Sequence, residues 1–152
     1  MTSSPFDAVA AHRHFAPICF NRAWELLGKE PRTQAENDEM LLVAMASLWH
    51  WSQREDCQPR NLAVGYWQVS RVQAVLGNGV EARRYAARAA MHAAGEPAFF
   101  MAYAHEALAR AGRVLGDEAA VQRHVAEARG LLTQVTDEKE RRLLENDLLA
   151  IG

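Results

Sequence analysis

The feature that most constrains the fold is a glycine turn that occurs twice in the second half of the chain. Gly77-Asn78-Gly79 and Gly116-Asp117 begin 39 residues apart, and each separates two segments with apolar residues at spacings of three and four. This spacing predicts amphipathic helices, and glycine predicts where a helix ends because it adopts the left-handed conformation without steric cost. The two turns therefore predict two helical hairpins.

The same periodicity extends along the rest of the chain and predicts an all-α fold of about seven helices. Pro31, Pro59 and Pro97 interrupt the pattern, since proline lacks a backbone donor. Thr33 and Glu36 fit a capping box at the start of the second helix. We expect the first helix to bend or break near Pro17, and helices over 6–28, 33–53, 61–76, 80–94, 98–115, 118–134 and 137–149.

The length of 152 residues suits one domain, predicted to span residues 1–152. Helix pairs are expected over 6–53, 61–94 and 98–134, with 137–150 as a C-terminal capping helix. The capping segment is apolar on one side and charged on the other, as the end of a stack requires because one side lacks a neighbour.

The segments after the two glycine turns share a pattern of rings and small residues. Tyr85 and Ala89 follow the first turn, and His124 and Ala128 follow the second at matching places. This pattern resembles the second helix of tetratricopeptide repeats, although the 39-residue offset exceeds the usual period of about 34. The resemblance covers the third to sixth helices. It implies a right-handed stack of antiparallel helix pairs, a tetratricopeptide-like α-solenoid whose first helices line a concave groove. The stretches 20–27 and 67–72 also resemble small bacterial helical-repeat proteins, which supplies a fold and no function.

Composition and motifs argue against several function classes. The formal charge is −2, which gives no long-range field towards nucleic acid or an acidic membrane. Cys19 and Cys57 form no Cys-x-x-Cys motif, residues 1–7 lack a secretory signal pattern, and no apolar run approaches the roughly 20 residues that span a bilayer. We therefore expect a cytoplasmic protein without a nucleic-acid or membrane partner.

Recognisable catalytic motifs are missing from the sequence. It contains no phosphate-binding glycine loop, no Gly-x-Ser-x-Gly motif and no His-Glu-x-x-His motif. None of the six histidines has the i, i+4 histidine partner that marks a helical metal site, and His105 and His124 are interpreted as packing residues. We predict no catalytic residue, no metal and no cofactor, and we expect binding rather than enzymatic activity.

A dense aromatic cluster comprises Trp49, His50 and Trp51, with Tyr66 and Trp67 one helix further on. Large rings between helices contribute strongly to a core, which is one interpretation. Two tryptophans separated by one residue cannot face the same way on a helix, so the alternative is a partly exposed pocket wall.

The arginines indicate a candidate binding groove. Trp67 and Arg71 match Glu106 and Arg110 at the 39-residue offset, and each pair is spaced i, i+4 on one helix face. Guanidinium groups bind carboxylates through paired donors, and rings provide apolar anchors. Alternatively, these charges form ion pairs only. The predicted groove comprises Trp67, Arg71, Tyr103, Glu106, Arg110 and Arg113, and Trp24 with Asn21 is an expected extension of it on the first helix.

Three functions follow from these patterns. The first is a scaffold whose groove binds a protein or peptide, and we expect an acidic or carboxylate-bearing segment of that partner to contact the arginines. The second is a ligand-binding or catalytic pocket in which His50 and Glu106 lie near the rings of Trp49, Trp51 and Trp67. The third is a structural or oligomerisation unit, with the first or last helix forming a homodimer.

Overall fold

The computed structural model describes residues 5–152, and in this range it contains seven α-helices and no strand. The predicted all-α fold of seven helices is confirmed. The first four residues, on which the predicted absence of a secretory signal partly rests, lie outside this range. The helices are α1 (Ala8–Leu27), α2 (Gln34–Ser52), α3 (Pro59–Val75), α4 (Gly79–Ala93), α5 (Ala98–Leu115), α6 (Glu118–Leu132) and α7 (Glu138–Ile151).

The helix ends follow from the local sequence features. Thr33 Oγ1 accepts a hydrogen bond from the Glu36 N–H while the Glu36 carboxylate accepts one from the Thr33 N–H, which confirms the predicted capping box. Gly77 and Gly116 have φ angles of 82° and 71°, so both turns use the left-handed conformation. No helix formed by residues 5–152 is long and apolar enough to cross a membrane.

Of the two outcomes expected near Pro17, a break is wrong, because α1 continues through this residue, and a bend stays a prediction. Contacts with α2 hold α1 on both sides of the proline. Ser47 Oγ donates to the Ala16 carbonyl at 2.8 Å, and Arg22 pairs with Glu39 at 2.7 Å. Tertiary packing thus compensates for the one donor that proline removes.

The two helices of a hairpin pack antiparallel, since contacting residues run in opposite sequence directions. In the first hairpin Arg22 contacts Glu39 and Ala16 contacts Ser47. In the second hairpin the Ser70 hydroxyl donates to the Ala82 carbonyl. The helix α4 packs against both α3 and α5, and α3 also contacts α5 directly.

Small residues allow these helices to approach closely. Alanines at positions 82, 86, 89 and 93 form the buried side of α4, each at most 1% exposed. One cluster of larger core residues surrounds Leu26 and Met40, and another surrounds Leu144 and Leu148 on α7. The last helix therefore closes the core of the stack with its apolar side.

Candidate functional site

A buried carboxylate joins the two helices that the 39-residue offset relates. Glu106 on α5 is 0% exposed. Its Oε2 accepts a hydrogen bond from Trp67 Nε1 at 2.9 Å, and its Oε1 accepts one from Arg110 Nε at 2.8 Å. Arg71 Nη1 lies 3.7 Å from the same Oε1. The structure thus brings four of the predicted groove residues together as an internal ion-pair network.

Arg71 is the least satisfied member of this network. Its Nη1 atom is buried, has no hydrogen-bond partner within residues 5–152, and lies 3.8 Å from Asp147 Oδ1. Burial and the neighbouring charge of Arg110 lower the pKa of the Arg71 guanidinium, which nevertheless stays charged because an arginine pKa is so high. The Arg71 head group is therefore held between two carboxylates of its own chain.

Tyr103 and Arg113, the remaining predicted groove residues, both contact α7. The Tyr103 hydroxyl donates to Asp147 Oδ2 at 2.7 Å. Burial is the largest cause that raises the pKa of the Tyr103 phenol, and the hydrogen bond with Asp147 is the next. Arg113 Nη2 donates to the Ile151 carbonyl at 2.8 Å, and its Nη1 pairs with Glu118 at 2.8 Å. Arg113 thus fixes the end of α7, and the ion-pair interpretation of the arginines fits the geometry better than free donors in a groove.

Beside this network lies an apolar pocket of about 250 Å³. All four odd-numbered helices contribute to it, and we call the surface that they form here the odd-helix face. Among residues 5–152, Asp147 is the one charged side chain that lines this pocket, and it lies at the edge. The lining residues are Phe20, Trp24, Ala63, Val64, Trp67, Phe99, Phe100, Tyr103, Leu143 and Asp147.

Six aromatic rings form a continuous chain around this aromatic pocket. The ring centroids of Trp24 and Trp67 lie 5.4 Å apart, and those of Trp67 and Tyr103 lie 5.2 Å apart in an edge-to-face arrangement. Phe99 continues the chain at 5.1 Å from Tyr103, also edge to face. Rings at these distances and angles stabilise one another, so the walls of the pocket are largely pre-formed.

The sequence predicted Trp67 and Tyr103, and Trp24 as an extension of the same face, but not the other residues of this wall. Each odd-numbered helix supplies residues spaced i, i+4, which places them on one face. This repeated spacing was the signal available in the sequence, although only the packing of the helices shows that the pairs converge. The pairs are 20 and 24, 63 and 67, 99 and 103, and 143 and 147.

The structure divides the predicted Trp49-His50-Trp51 site, because the Trp49 and His50 rings lie 4.9 Å apart whereas Trp51 lines a different surface. Trp49 is 56% exposed, and Trp51 is half-buried with the Arg54 guanidinium 4.1 Å from its ring centroid. The interpretation of this run as core is wrong for Trp49, because neighbouring residues on α2 point to different surfaces. His50 contacts His12 and not Glu106, so no acid–base pair of His50 and Glu106 forms in the described chain.

Two histidine pairs each join the helices of one hairpin. His12 Nδ1 lies 2.9 Å from His50 Nδ1, and His105 Nδ1 lies 3.0 Å from His124 Nδ1. One nitrogen must donate and the other accept, so neither contact persists when both rings are protonated. Burial is the largest cause that lowers the pKa of His50, His105 and His124. Residues 5–152 contain no group of three or more histidine, cysteine, aspartate or glutamate side chains that could hold a metal ion.

The chain matches no protein-family model, no curated protein and no solved structure. The resemblance to tetratricopeptide repeats therefore stays a prediction.

Proposed function

We propose that this protein is a binding module that holds a protein or peptide partner on the odd-helix face. The partner inserts one large apolar side chain into the aromatic pocket. The observation that carries this proposal is the pocket itself, in which rings from α1, α3 and α5 surround a volume of about 250 Å³.

The size and chemistry of the pocket favour a side chain as its occupant. The volume falls just below the range of about 300–1,000 Å³ typical of sites for drug-sized ligands. Anchors at protein interfaces are single aromatic or aliphatic side chains that fill dry, well-packed pockets. Trp24 and Leu143 at the rim are 36% and 55% exposed, so the pocket is open to an incoming chain.

A carboxylate on the partner stays a prediction, and the geometry gives it little support. Such a group needs free guanidinium donors, whereas Arg71 and Arg110 both face Glu106. Moving either one towards a ligand would leave the buried Glu106 carboxylate with less compensating charge, which is costly in a dry environment. We therefore assign these arginines a supporting role beneath the Trp67 wall.

The test is to select binders from a library of random peptides displayed on phage and to measure their affinity by calorimetry. We expect the selected peptides to share an aromatic or large aliphatic residue. Leu143→Asp should weaken their binding at least about tenfold, because it places a charge on the pocket wall. Leu149→Asp is the matched control, since Leu149 is a 71% exposed leucine on the same helix that does not line the pocket.

Equal loss of affinity in the two variants would contradict the proposal, and so would peptides that share no apolar residue. Removing the apolar residue from a selected peptide should abolish binding to the unmodified protein. Unchanged binding of that truncated peptide would show that the pocket is not the anchor site.

A second candidate function is self-association through α1. Val9, Phe15 and Ile18 on this helix are each more than 40% exposed, which is unusual for a helix at the end of a stack. Light scattering over a range of concentrations should then show a dimer that Ile18→Glu disrupts. A monomer at every concentration would exclude this function.

A further inference from the structure

A second concave surface lies between α2, α3 and α4, and we call it the outer groove. Its volume is about 330 Å³, and it shares no lining residue with the aromatic pocket. Neither binding function proposed above uses it. The residues that give it chemical character are Trp49, Tyr66, Arg84, Tyr85, Arg88 and His92.

One wall of the outer groove carries basic side chains at regular spacing. Arg84, Arg88 and His92 are four residues apart on α4, so they form one stripe along the helix. Each of the three lines the groove, and no carboxylate does so among residues 5–152. The groove therefore presents two arginines with little compensating charge, in contrast to the neutralised arginines of the odd-helix face.

The two arginines of this wall are available for a ligand. Within the described chain Arg88 has no ion pair, and its guanidinium carbon lies 5.7 Å from the Tyr66 ring centroid. Arg84 approaches Glu81 only at 3.8 Å, and its side chain is 72% exposed. An exposed pair at this distance contributes little, so its loss would not oppose ligand binding.

The other walls offer flat apolar surfaces. The Tyr66 ring stacks on His92 with centroids 5.3 Å apart and an interplanar angle of 5°. Tyr85 lies 6.0 Å from Tyr66, and the exposed ring of Trp49 lines the α2 side of the groove. A flat ligand body could pack on these rings while its acidic group accepts hydrogen bonds from the guanidinium groups of the arginines.

From this arrangement we propose that the outer groove binds a small organic anion, with a flat apolar body and one carboxylate or phosphate group. The positive charge of Arg84 and Arg88 favours an anion, and the aromatic rings of the groove favour a ligand with a flat apolar body. The volume suits a small molecule, and the net charge of −2 does not provide the extended basic surface that a nucleic acid requires.

The experiment is an NMR titration of the full chain at constant ionic strength with 2-naphthoate, 2-naphthyl phosphate and the neutral 2-naphthylmethanol. We expect an anion to shift the amide signals of α4 and to bind at least about tenfold more tightly than the neutral compound, as a charge-assisted hydrogen bond implies. The tighter of the two anions identifies the acidic group that the site prefers.

Matched arginine variants locate the binding site. Arg88→Gln should abolish most of the preference for the anion, and Arg84→Gln should reduce it. Arg141→Gln is the control, because Arg141 is an exposed arginine on α7 with no ion pair in the described chain. Circular dichroism of each variant checks that the helices are unchanged.

Equal binding of anion and neutral compound would overturn the proposal, as would equal effects of Arg88→Gln and Arg141→Gln. Signal changes confined to α5 and α7 would place the ligand in the aromatic pocket and would also overturn it. Because the two surfaces share no lining residue, failure here leaves the peptide-binding proposal intact.

Discussion

Replacing Glu106 with glutamine tests whether the ion-pair network supports the pocket wall. The glutamate presents two acceptor oxygens, one to Trp67 Nε1 and one to Arg110 Nε. Glutamine has the same shape but only one acceptor oxygen, so its amide group must face one of these donors. The change also removes the negative charge that lies 3.7 Å from Arg71.

The expected loss follows from the burial of each partner. Removing one member of a buried ion pair costs about 3–5 kcal/mol because the other charge is left without compensation. The side chains of Arg71 and Arg110 are 20% and 18% exposed, so water restores part of their solvation. We therefore expect Glu106→Gln to reduce the free energy of unfolding by about 2–3 kcal/mol.

Urea denaturation followed by circular dichroism measures this change, and thermal unfolding should show a midpoint lowered by about 5–10 °C for a chain of this size. Glu118→Gln is the matched control, since Glu118 pairs with Arg113 but is 60% exposed. That control should cost about 0.5 kcal/mol or less. A loss for Glu106→Gln no larger than that of the control would refute the structural role of the network.

Two further predictions concern pH and glycine. Because burial lowers the pKa of His105 and His124 below 6.5, the unfolded chain binds more protons, so stability should fall as pH drops below about 6.5. Urea denaturation midpoints measured across this pH range test the prediction. A variant in which His105 and His124 are both replaced by leucine should lose part of the pH dependence of stability, and a variant that keeps all of it would contradict the prediction. Gly130→Ala should stabilise the folded protein by about 0.5 kcal/mol. Gly79→Ala should destabilise it, since the added Cβ would lie 2.7 Å from Leu115 Cγ. Thermal unfolding midpoints that shift in the same direction for both variants would refute this prediction.

Local patterns were sufficient to predict the helices. Periodicity located all seven, and Gly77 and Gly116 ended α3 and α5 near the expected positions. The helix α1 does not break at Pro17, because contacts between α1 and α2 outweigh the local preference of proline. Such long-range contacts cannot be read from a window of neighbouring residues.

The candidate site was predictable only in part. The 39-residue offset correctly related Trp67 to Glu106, and these side chains are hydrogen-bonded. The sequence could not show that Glu106 is fully buried, because that depends on how α3, α5 and α7 enclose it. For the same reason Leu143 and Asp147, which lie on the last helix, were not predicted to meet the rings of α1 and α3.

A crystal structure of the protein with a peptide selected from the display library tests directly whether the aromatic pocket is the binding site. We expect an apolar side chain of the peptide to lie between Trp24, Trp67 and Leu143, while Arg71 and Arg110 remain beside Glu106. A peptide bound elsewhere, or a peptide carboxylate that draws Arg71 away from Glu106, would contradict it.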